Sequence, residues 1–223
     1  AMVDEDLVDS LVRKPEYINA GLDAQRKSIV LLKNETSKGR ALPASEGRRI
    51  FVDGLDVEQA KSFGNVVSSP DQADIIILYL PTVFNGNQAP GSNELIDKFL
   101  SGILPDGDLT YGSDIIKKAK TYADYATLIT VVDLNRPAIL TELNEISDGL
   151  IGTFGVYDSI LYEVIFGQFS PQGKLPFEIP SSMESVDHQK EDLPDDSESP
   201  IFEFGHGLTS VSYTHLRAHE TFG

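Results

Sequence analysis

The chain has 223 residues with no cysteine or tryptophan, and its 35 acidic and 18 basic residues give a formal net charge of −17 at pH 7. Its length fits one domain with appendages, and the lack of cysteine excludes disulfides, thiolate catalysis and zinc–thiolate sites. The negative charge disfavours a nucleic-acid partner, and no apolar run approaches the about 20 residues of a membrane span. The absence of cysteine does not determine the compartment, and extracellular and periplasmic locations are both compatible with it.

The predicted elements begin with a charged helix over residues 16–27, which leads into the first of five apolar runs. These runs predict strands at 28–33, 50–52, 75–80, 128–132 and 150–154. The predicted helices between and after them are 57–63, 113–125, 138–146 and 158–166. Strands that are apolar throughout are typical of parallel sheets covered by helices on both faces. The alternation therefore predicts a layered α/β sandwich, with a mostly parallel sheet flanked by helices, over residues 28–180.

One connection in this pattern is unusually long. It runs from Pro81 to Gly112 and follows the carboxyl end of the predicted strand 75–80. Connections between a strand and a helix usually have about 2–6 residues, and longer ones are commonly functional. Because ligands of open α/β sheets bind beyond the carboxyl ends of the strands, this loop is the first place to look for chemistry.

The composition of the chain changes after Pro180. Residues 181–200 are strongly acidic and predict an extended, solvated arm, and the apolar, glycine-rich segment that follows predicts that the arm docks again on the domain. Residues 181–209 together are therefore expected to form an acidic C-terminal arm with a closing segment. Residues 210–223 continue no pattern of the chain and resemble translated sequencing-adapter sequence, so they are set aside as a non-native tail.

Two histidines precede that tail, His188 in the acidic arm and His206 in the closing segment. Neither has a second histidine or a carboxylate at the spacing of a metal site, so a local hydrogen-bonding role is favoured over metal ligation. The glycines form no phosphate-binding pattern, and a Gly-x-Ser-x-Gly nucleophile motif is absent. The sequence therefore predicts no metal and no other cofactor.

The carboxylates of the long loop are the remaining candidates for catalysis. Glycoside hydrolysis needs two carboxyl groups beside one bond, and the group that acts as an acid needs partly buried, apolar surroundings. Glu94 has such neighbours in Leu95, Ile96 and Phe99. The alternative is that Glu94 only begins a short amphipathic helix over 93–100, where the helix dipole favours an acidic first turn.

Several motifs, each modest by itself, occur together in a specific order. They are Ser28–Asn34, Leu42-Pro43, Val131–Ala138 with its Arg136-Pro137 pair, Val164–Gly167, Ser170–Pro176 and Phe204–Leu208. In this order they resemble the C-terminal α/β sandwich domain of glycoside hydrolase family 3, over about residues 17–209.

The resemblance implies a retaining, exo-acting hydrolase of the β-glucosidase type. In that family an N-terminal (β/α)8 barrel usually supplies an aspartate nucleophile, and the substrate pocket lies between the barrel and this domain. No barrel sequence precedes residue 1, so residues 1–27 are expected to lead in from a missing upstream domain, and the chain alone is expected to be inactive. Its partners would be that barrel and a β-linked oligosaccharide or glucoside. The alternative is a non-catalytic carbohydrate-binding or structural α/β module.

The resemblance also implies roles for two residues, and the position of a third in the predicted sheet suggests another. The long loop of this domain often carries the family's glutamate acid/base, which points to Glu94, although the loop departs from the family's usual Thr-Glu setting. Asp108 is the second candidate, as an acceptor of sugar hydroxyls or as the acid itself. Arg136, at the carboxyl end of a predicted strand, is the candidate for substrate binding through a carboxylate or sugar hydroxyl. The alternative for Arg136 is a helix-start salt bridge, with Pro137 opening the helix.

Overall fold

The computed structural model describes residues 14–37, 39–83, 108–190, 192–193 and 195–209. Its strands are β1 (Val30–Asn34), β2 (Arg49–Asp53), β3 (Asn65–Val66), β4 (Ile75–Leu80), β5 (Thr127–Asp133) and β6 (Gly149–Thr153). Its helices are α1 (Pro15–Ser28), α2 (Val57–Ala60), α3 (Ser113–Tyr125), α4 (Thr141–Ile146), α5 (Asp158–Ile165) and α6 (Met183–Asp187), with a 3-10 turn at Pro70–Gln72. This alternation confirms the predicted α/β sandwich.

The strands form one sheet in the order β1-β6-β5-β4-β2-β3. Strands β2 to β6 are parallel to one another, and β1 runs antiparallel to β6 at one edge. From β2 the chain goes outward to β3, returns past β2 to β4, and continues to β5 and β6 on the other side. The direction of winding therefore reverses between β2 and β4, which lie side by side.

Both faces of the sheet are covered, which is why its strands are apolar throughout. Ile77 and Leu78 are neighbours in β4, belong to the cores on opposite faces, and are both fully buried. Residues of α1, α2 and α5 pack in the core that contains Ile77, and residues of α3 and α4 pack in the core that contains Leu78. The apolar runs of the sequence thus correspond to a sheet with a core on each side.

Two helices are each three residues shorter than predicted. Pro137 does not open α4, which begins at Thr141. The reason is that Ile139 first pairs with Thr110 in an isolated parallel bridge, so the backbone stays extended past the proline. Helix α2 ends at Ala60, where the chain continues in turns.

The sequence predicted an extended acidic arm, but the arm contains the short helix α6. The Ser182 hydroxyl caps this helix by accepting a hydrogen bond from the N–H of Ser185 at 3.1 Å. The Ser185 hydroxyl donates to the carbonyl of Glu198 at 3.0 Å, and the Thr141 hydroxyl donates to the carbonyl of Ser181 at 2.7 Å. The arm therefore folds back on itself and is fastened to α4.

The closing segment, residues 201–209, covers the edge strand β1. The N–H of Leu208 donates to the carbonyl of Leu31 at 2.8 Å, and Nε2 of His206 lies 2.9 Å from the carbonyl oxygen of Leu32. An uncovered strand edge is a template for pairing with other chains, and these bonds occupy part of it. His206 therefore makes a long-range hydrogen bond of the fold, where the sequence indicated a local one.

Three predicted segments lie outside the described residues: 1–13 of the lead-in, the alternative helix at 93–100 and the tail at 210–223. The described part of the lead-in, helix α1, is joined to α5. Two of the guanidinium nitrogens of Arg26, Nε and Nη2, donate to the Glu163 carboxylate at 2.5 and 3.0 Å. This paired contact holds α1 on the domain at its C-terminal end.

Replacing Asn34 with alanine is expected to lower the free energy of unfolding by about 2 kcal/mol. The buried Asn34 side chain donates to the carbonyl of Leu42 and accepts from its N–H, both at 2.8 Å, so the variant leaves two backbone groups without partners. Urea unfolding followed by far-UV circular dichroism measures the change. Asn65→Ala, at an exposed position of the edge strand β3, is the control and should change stability by less than about 0.5 kcal/mol. An equal loss in both variants would contradict the assignment.

Candidate functional site

The carboxyl edge of the sheet is where β2, β4, β5 and β6 all end. Because the winding reverses between β2 and β4, their carboxyl ends border the crevice in which open α/β sheets bind ligands. Asp53 is the last residue of β2, and Asp133 is the last residue of β5. The long connection also leaves from this edge, after Leu80. The edge is therefore the candidate site.

Asp53 is held by two side chains of α3, the helix that follows the long connection. Its Oδ2 accepts hydrogen bonds from Nζ of Lys118 at 2.9 Å and from the Tyr122 hydroxyl at 3.0 Å. Burial, and then the neighbouring Asp53 carboxylate, raise the pKa of Tyr122 to about 12, so the hydroxyl remains a donor at neutral pH. The three groups fasten α3 to the end of β2.

Tyr79 and Asp133 form a second polar group, on the opposite face of the sheet. The Tyr79 hydroxyl donates to Oδ2 of Asp133 at 3.4 Å, and the backbone N–H and Nδ2 of Asn135 donate to the same carboxylate at 3.1 Å. Burial, and then the negative charge of Asp133, raise the pKa of Tyr79 to about 12. Asp133 thereby shapes the turn that leads from β5 to Arg136.

The two ends of the long connection meet at this edge. We call residues 81–83 the departing stem and residues 108–111 the returning stem. The hydroxyl of Tyr111, a buried residue of the returning stem, donates to the carbonyl of Pro81 in the departing stem at 3.0 Å. A side chain of one stem thus holds the backbone of the other.

The turn between β5 and α4 contacts both stems. Nη1 of Arg136 donates to the carbonyl of Val83 in the departing stem at 3.4 Å. The N–H of Ile139 donates to the carbonyl of Leu109 in the returning stem at 2.9 Å. Three segments that are distant in sequence are therefore joined pairwise at one corner of the sheet.

The three predicted site residues have different outcomes. Glu94 lies outside the described residues. Asp108 is exposed at the start of the returning stem, and its Oδ1 accepts a hydrogen bond from the N–H of Thr110 at 2.8 Å. Arg136 is half-buried. Because Thr110 pairs with Ile139 in a parallel bridge, the structure brings Asp108 and Arg136 to the same corner.

A cleft of about 440 Å³ opens beside this corner. Leu109 and Pro137 line it on the side of the sheet, and Val186, Gln189 and Leu193 line it on the side of the acidic arm. Most of its surface is apolar. The acidic arm therefore borders the corner that carries two of the predicted site residues.

Sequence reasoning missed the tyrosines of this edge. Tyr79 lies inside an apolar run and Tyr111 lies at the end of the long connection, so neither belongs to a recognisable motif. A tyrosine near the carboxyl end of an otherwise aliphatic strand is nevertheless a usable signal, because a buried hydroxyl needs a hydrogen-bond partner. By that signal Tyr79 could have been found, whereas the partner of Tyr111 required the fold.

In the part of the chain that the structure describes, no three His, Asp or Glu side chains are grouped as a metal site. No described helix is long and apolar enough to cross a membrane. The polar groups that the structure does place at the edge are carboxylates, tyrosine hydroxyls and the cationic side chains of Lys118 and Arg136.

The fold and the edge define a class of domain, an α/β sandwich with a long connection inserted at the carboxyl edge of its sheet. Residues 66–210 match the sequence profile of the glycosyl hydrolase family 3 C-terminal domain. The chain therefore belongs to glycosyl hydrolase family 3, which confirms the resemblance carried by its motifs.

Named relatives agree with this assignment. The chain is 31% identical to beta-glucosidase C of Emericella nidulans over 208 residues, which are 92% of this chain and 32% of that protein. It is 34% identical to the periplasmic beta-glucosidase/beta-xylosidase of Dickeya chrysanthemi over 206 residues, 90% of this chain and 29% of that protein. The chain thus spans about a third of the length of the curated relatives it matches.

Solved structures show the same fold. A β-glucosidase from Erythrobacter marinus superposes with a TM-score of 0.67 at 18% identity, over 93% of this chain and 37% of that one. A β-glucosidase from Listeria innocua gives a TM-score of 0.66 at 17% identity, over 94% of this chain and 36% of that one. At these identities the likeness concerns the fold alone.

Proposed function

We propose that the chain is the C-terminal domain of an exo-acting, retaining β-glycosidase of the β-glucosidase type, which hydrolyses terminal β-linked sugars. The observation that carries the proposal is that relatives named as β-glucosidases match nine-tenths of this chain. Their much greater length, together with the match to a C-terminal domain, supports an upstream domain as the partner of this one. The substrate would be a β-linked oligosaccharide or glucoside.

In the proposed mechanism each of two domains supplies one of the two catalytic carboxyl groups. A carboxylate of the upstream domain attacks the anomeric carbon, and Glu94 protonates the leaving oxygen and then activates water against the glycosyl-enzyme. Asp108 accepts a sugar hydroxyl through its exposed carboxylate, or serves as the acid in place of Glu94. Arg136 donates to substrate oxygens from the same corner of the sheet, where its guanidinium also donates to the carbonyl of Val83.

The compartment is part of the same proposal. One relative is named as periplasmic, which supports an extracellular or periplasmic location for the protein that contains this chain. Fractionation of cells that express the full coding sequence tests the location. Recovery of the protein with the cytoplasmic fraction only would contradict it.

The function is tested by comparing the full-length protein with the chain alone on 4-nitrophenyl β-glucoside. The full-length protein should release nitrophenol and give the β-anomer of the sugar first, as detected by proton NMR, because two displacements retain the configuration. The chain alone should show no rate above background, since it would carry only one of the two carboxyl groups. Hydrolysis by the chain alone would overturn the mechanism. An inactive full-length protein would favour the non-catalytic α/β module.

A further inference from the structure

The cleft between the sheet corner and the acidic arm contains a carboxylate of which the fold uses only one oxygen. Glu178 lines this cleft and is 8% exposed. Its Oε1 accepts hydrogen bonds from the N–H of Ser197 and from Nε2 of Gln189, the latter at 3.4 Å. Among the described residues, no donor and no cationic side chain bonds to Oε2. A nearly buried carboxylate needs partners, so Oε2 is available to a molecule bound in the cleft.

The other polar groups of the lining are mostly hydrogen-bond acceptors too. Nε2 of Gln189 donates to Glu178 and to the Ser197 hydroxyl, and the amide oxygen of Gln189 accepts no hydrogen bond from the described part of the chain. Asp195 adds an exposed carboxylate, and Lys190 adds an exposed cationic donor. A ligand that suits this lining therefore carries several hydrogen-bond donors together with an acceptor.

The rest of the lining is apolar and partly exposed. Phe204 is 60% exposed and Leu193 is 48% exposed, and Phe177 lines the same cleft. Exposed apolar side chains around a few polar groups are typical of small-molecule sites, whose volumes are usually about 300–1,000 Å³. A sugar combines hydroxyl groups, which both donate and accept, with C–H faces that pack on aromatic rings. A metal ion or a lone ammonium group would use the carboxylates but leave the apolar lining without a partner.

We propose that this cleft binds a sugar unit of a β-linked oligosaccharide, with Glu178 accepting a hydrogen bond from a hydroxyl group and Phe204 packing on the face of the ring. The kind of sugar rests on the proposed function, whereas the lining of the cleft is given by the fold. The alternatives are that the upstream domain covers the cleft or that water alone fills it.

The test measures amide hydrogen exchange of the full-length protein with and without methyl 4-thio-β-cellobioside, a disaccharide whose sulfur link resists hydrolysis. Peptides covering 176–180, 186–193 and 201–206 should exchange more slowly with the probe, because these segments line the cleft. Since exchange is followed peptide by peptide, the result separates binding in this cleft from binding of the probe elsewhere.

Two substitutions test the proposed contacts through the dissociation constant that the protection gives. Glu178→Gln keeps an oxygen for the N–H of Ser197 but replaces Oε2 with an amide group, so the constant should rise about tenfold, as loss of a hydrogen bond to a charged group does. Its control is Glu184→Gln, which removes the same charge from an exposed residue of α6 outside the lining and should leave the constant unchanged. Phe204→Ala should raise the constant about fivefold through lost packing, whereas Tyr157→Ala, at a residue 64% exposed outside the lining, should not.

Three outcomes would overturn the inference. They are no slowing at the cleft peptides in the wild-type protein, equal constants for Phe204→Ala and Tyr157→Ala, and equal constants for the two folded glutamine variants. If Glu178→Gln does not fold, the exposed Phe204 still decides the question. Cleft peptides that exchange slowly without the probe and do not respond to it would instead assign the cleft to the upstream domain.

The proposed function is checked separately by the release of nitrophenol from 4-nitrophenyl β-glucoside. An inactive full-length protein whose cleft peptides are protected by the probe would contradict the proposed function and support the sugar site. An active protein whose cleft peptides do not respond would support the proposed function and overturn the sugar site.

Discussion

Replacing Gly173 with alanine is expected to lower the free energy of unfolding by about 3 kcal/mol, as overpacking against rigid neighbours does. A Cβ at this position would lie 2.6 Å from the carbonyl oxygens of Ser28 and Ile29 and 2.7 Å from the carbonyl carbon of Ile29. All three are backbone atoms, so the clash is relieved only by moving the chain. The N–H of Gly173 donates to Ile29 at 2.9 Å, and that bond would be strained by the same movement.

The effect should extend to the closing segment that covers β1. Gly207 of the closing segment packs closely on Gly173, because a Cβ on Gly207 would collide with the carbonyl oxygen of Gly173. Gly173 in turn packs on the residues just before β1. A shift at Gly173 would therefore move the closing segment as well. Urea unfolding by circular dichroism measures the loss. Gly21→Ala is the matched control, since a Cβ there meets nothing within 4 Å, and alanine in helix α1 should stabilise by up to about 1 kcal/mol. Similar stability of Gly173→Ala and the wild-type chain would contradict the close packing.

The strands of the sheet were predictable because burial on both faces requires continuous apolar runs, which can be read from the sequence. The run at 75–80 is apolar at every position, as a strand buried on both faces must be, and β4 occupies the same residues. Helix α3 likewise has its predicted bounds, 113–125. What such runs do not encode is direction, so the antiparallel course of β1 had no signal in the sequence. The two-residue strand β3 is too short to form a pattern at all.

The candidate site was predictable in composition but not in geometry. The long connection identified the carboxyl edge, since its length and starting point could be read directly. The proximity of Asp108 and Arg136 depends on the pairing of Thr110 with Ile139, a contact that no periodicity reveals. The same pairing keeps the backbone extended after Pro137, so that α4 begins only at Thr141. The wrong helix start and the proximity of Asp108 to Arg136, which the sequence did not predict, therefore have one physical cause.

The largest effect on rate is expected from Glu94→Ala in the full-length protein. If Glu94 is the acid/base, its removal should lower kcat on 4-nitrophenyl β-glucoside by about 10²–10⁴-fold, the usual contribution of a positioned proton-transfer group. The second displacement should suffer most, because water attacks the glycosyl-enzyme poorly without a base. Azide needs no base to attack, so it should restore part of the rate and give a β-glucosyl azide.

Two control variants separate Glu94 from its neighbours. Asp97→Ala removes another carboxylate of the same connection and should change kcat by less than about threefold with no response to azide, because it would remove no proton-transfer group.

Asp108→Asn should raise KM more than it lowers kcat if Asp108 accepts a sugar hydroxyl, since such a contact exists in both the ground state and the transition state. A rate loss that azide restores in Asp108→Asn, together with near wild-type activity of Glu94→Ala, would transfer the acid/base role to the returning stem.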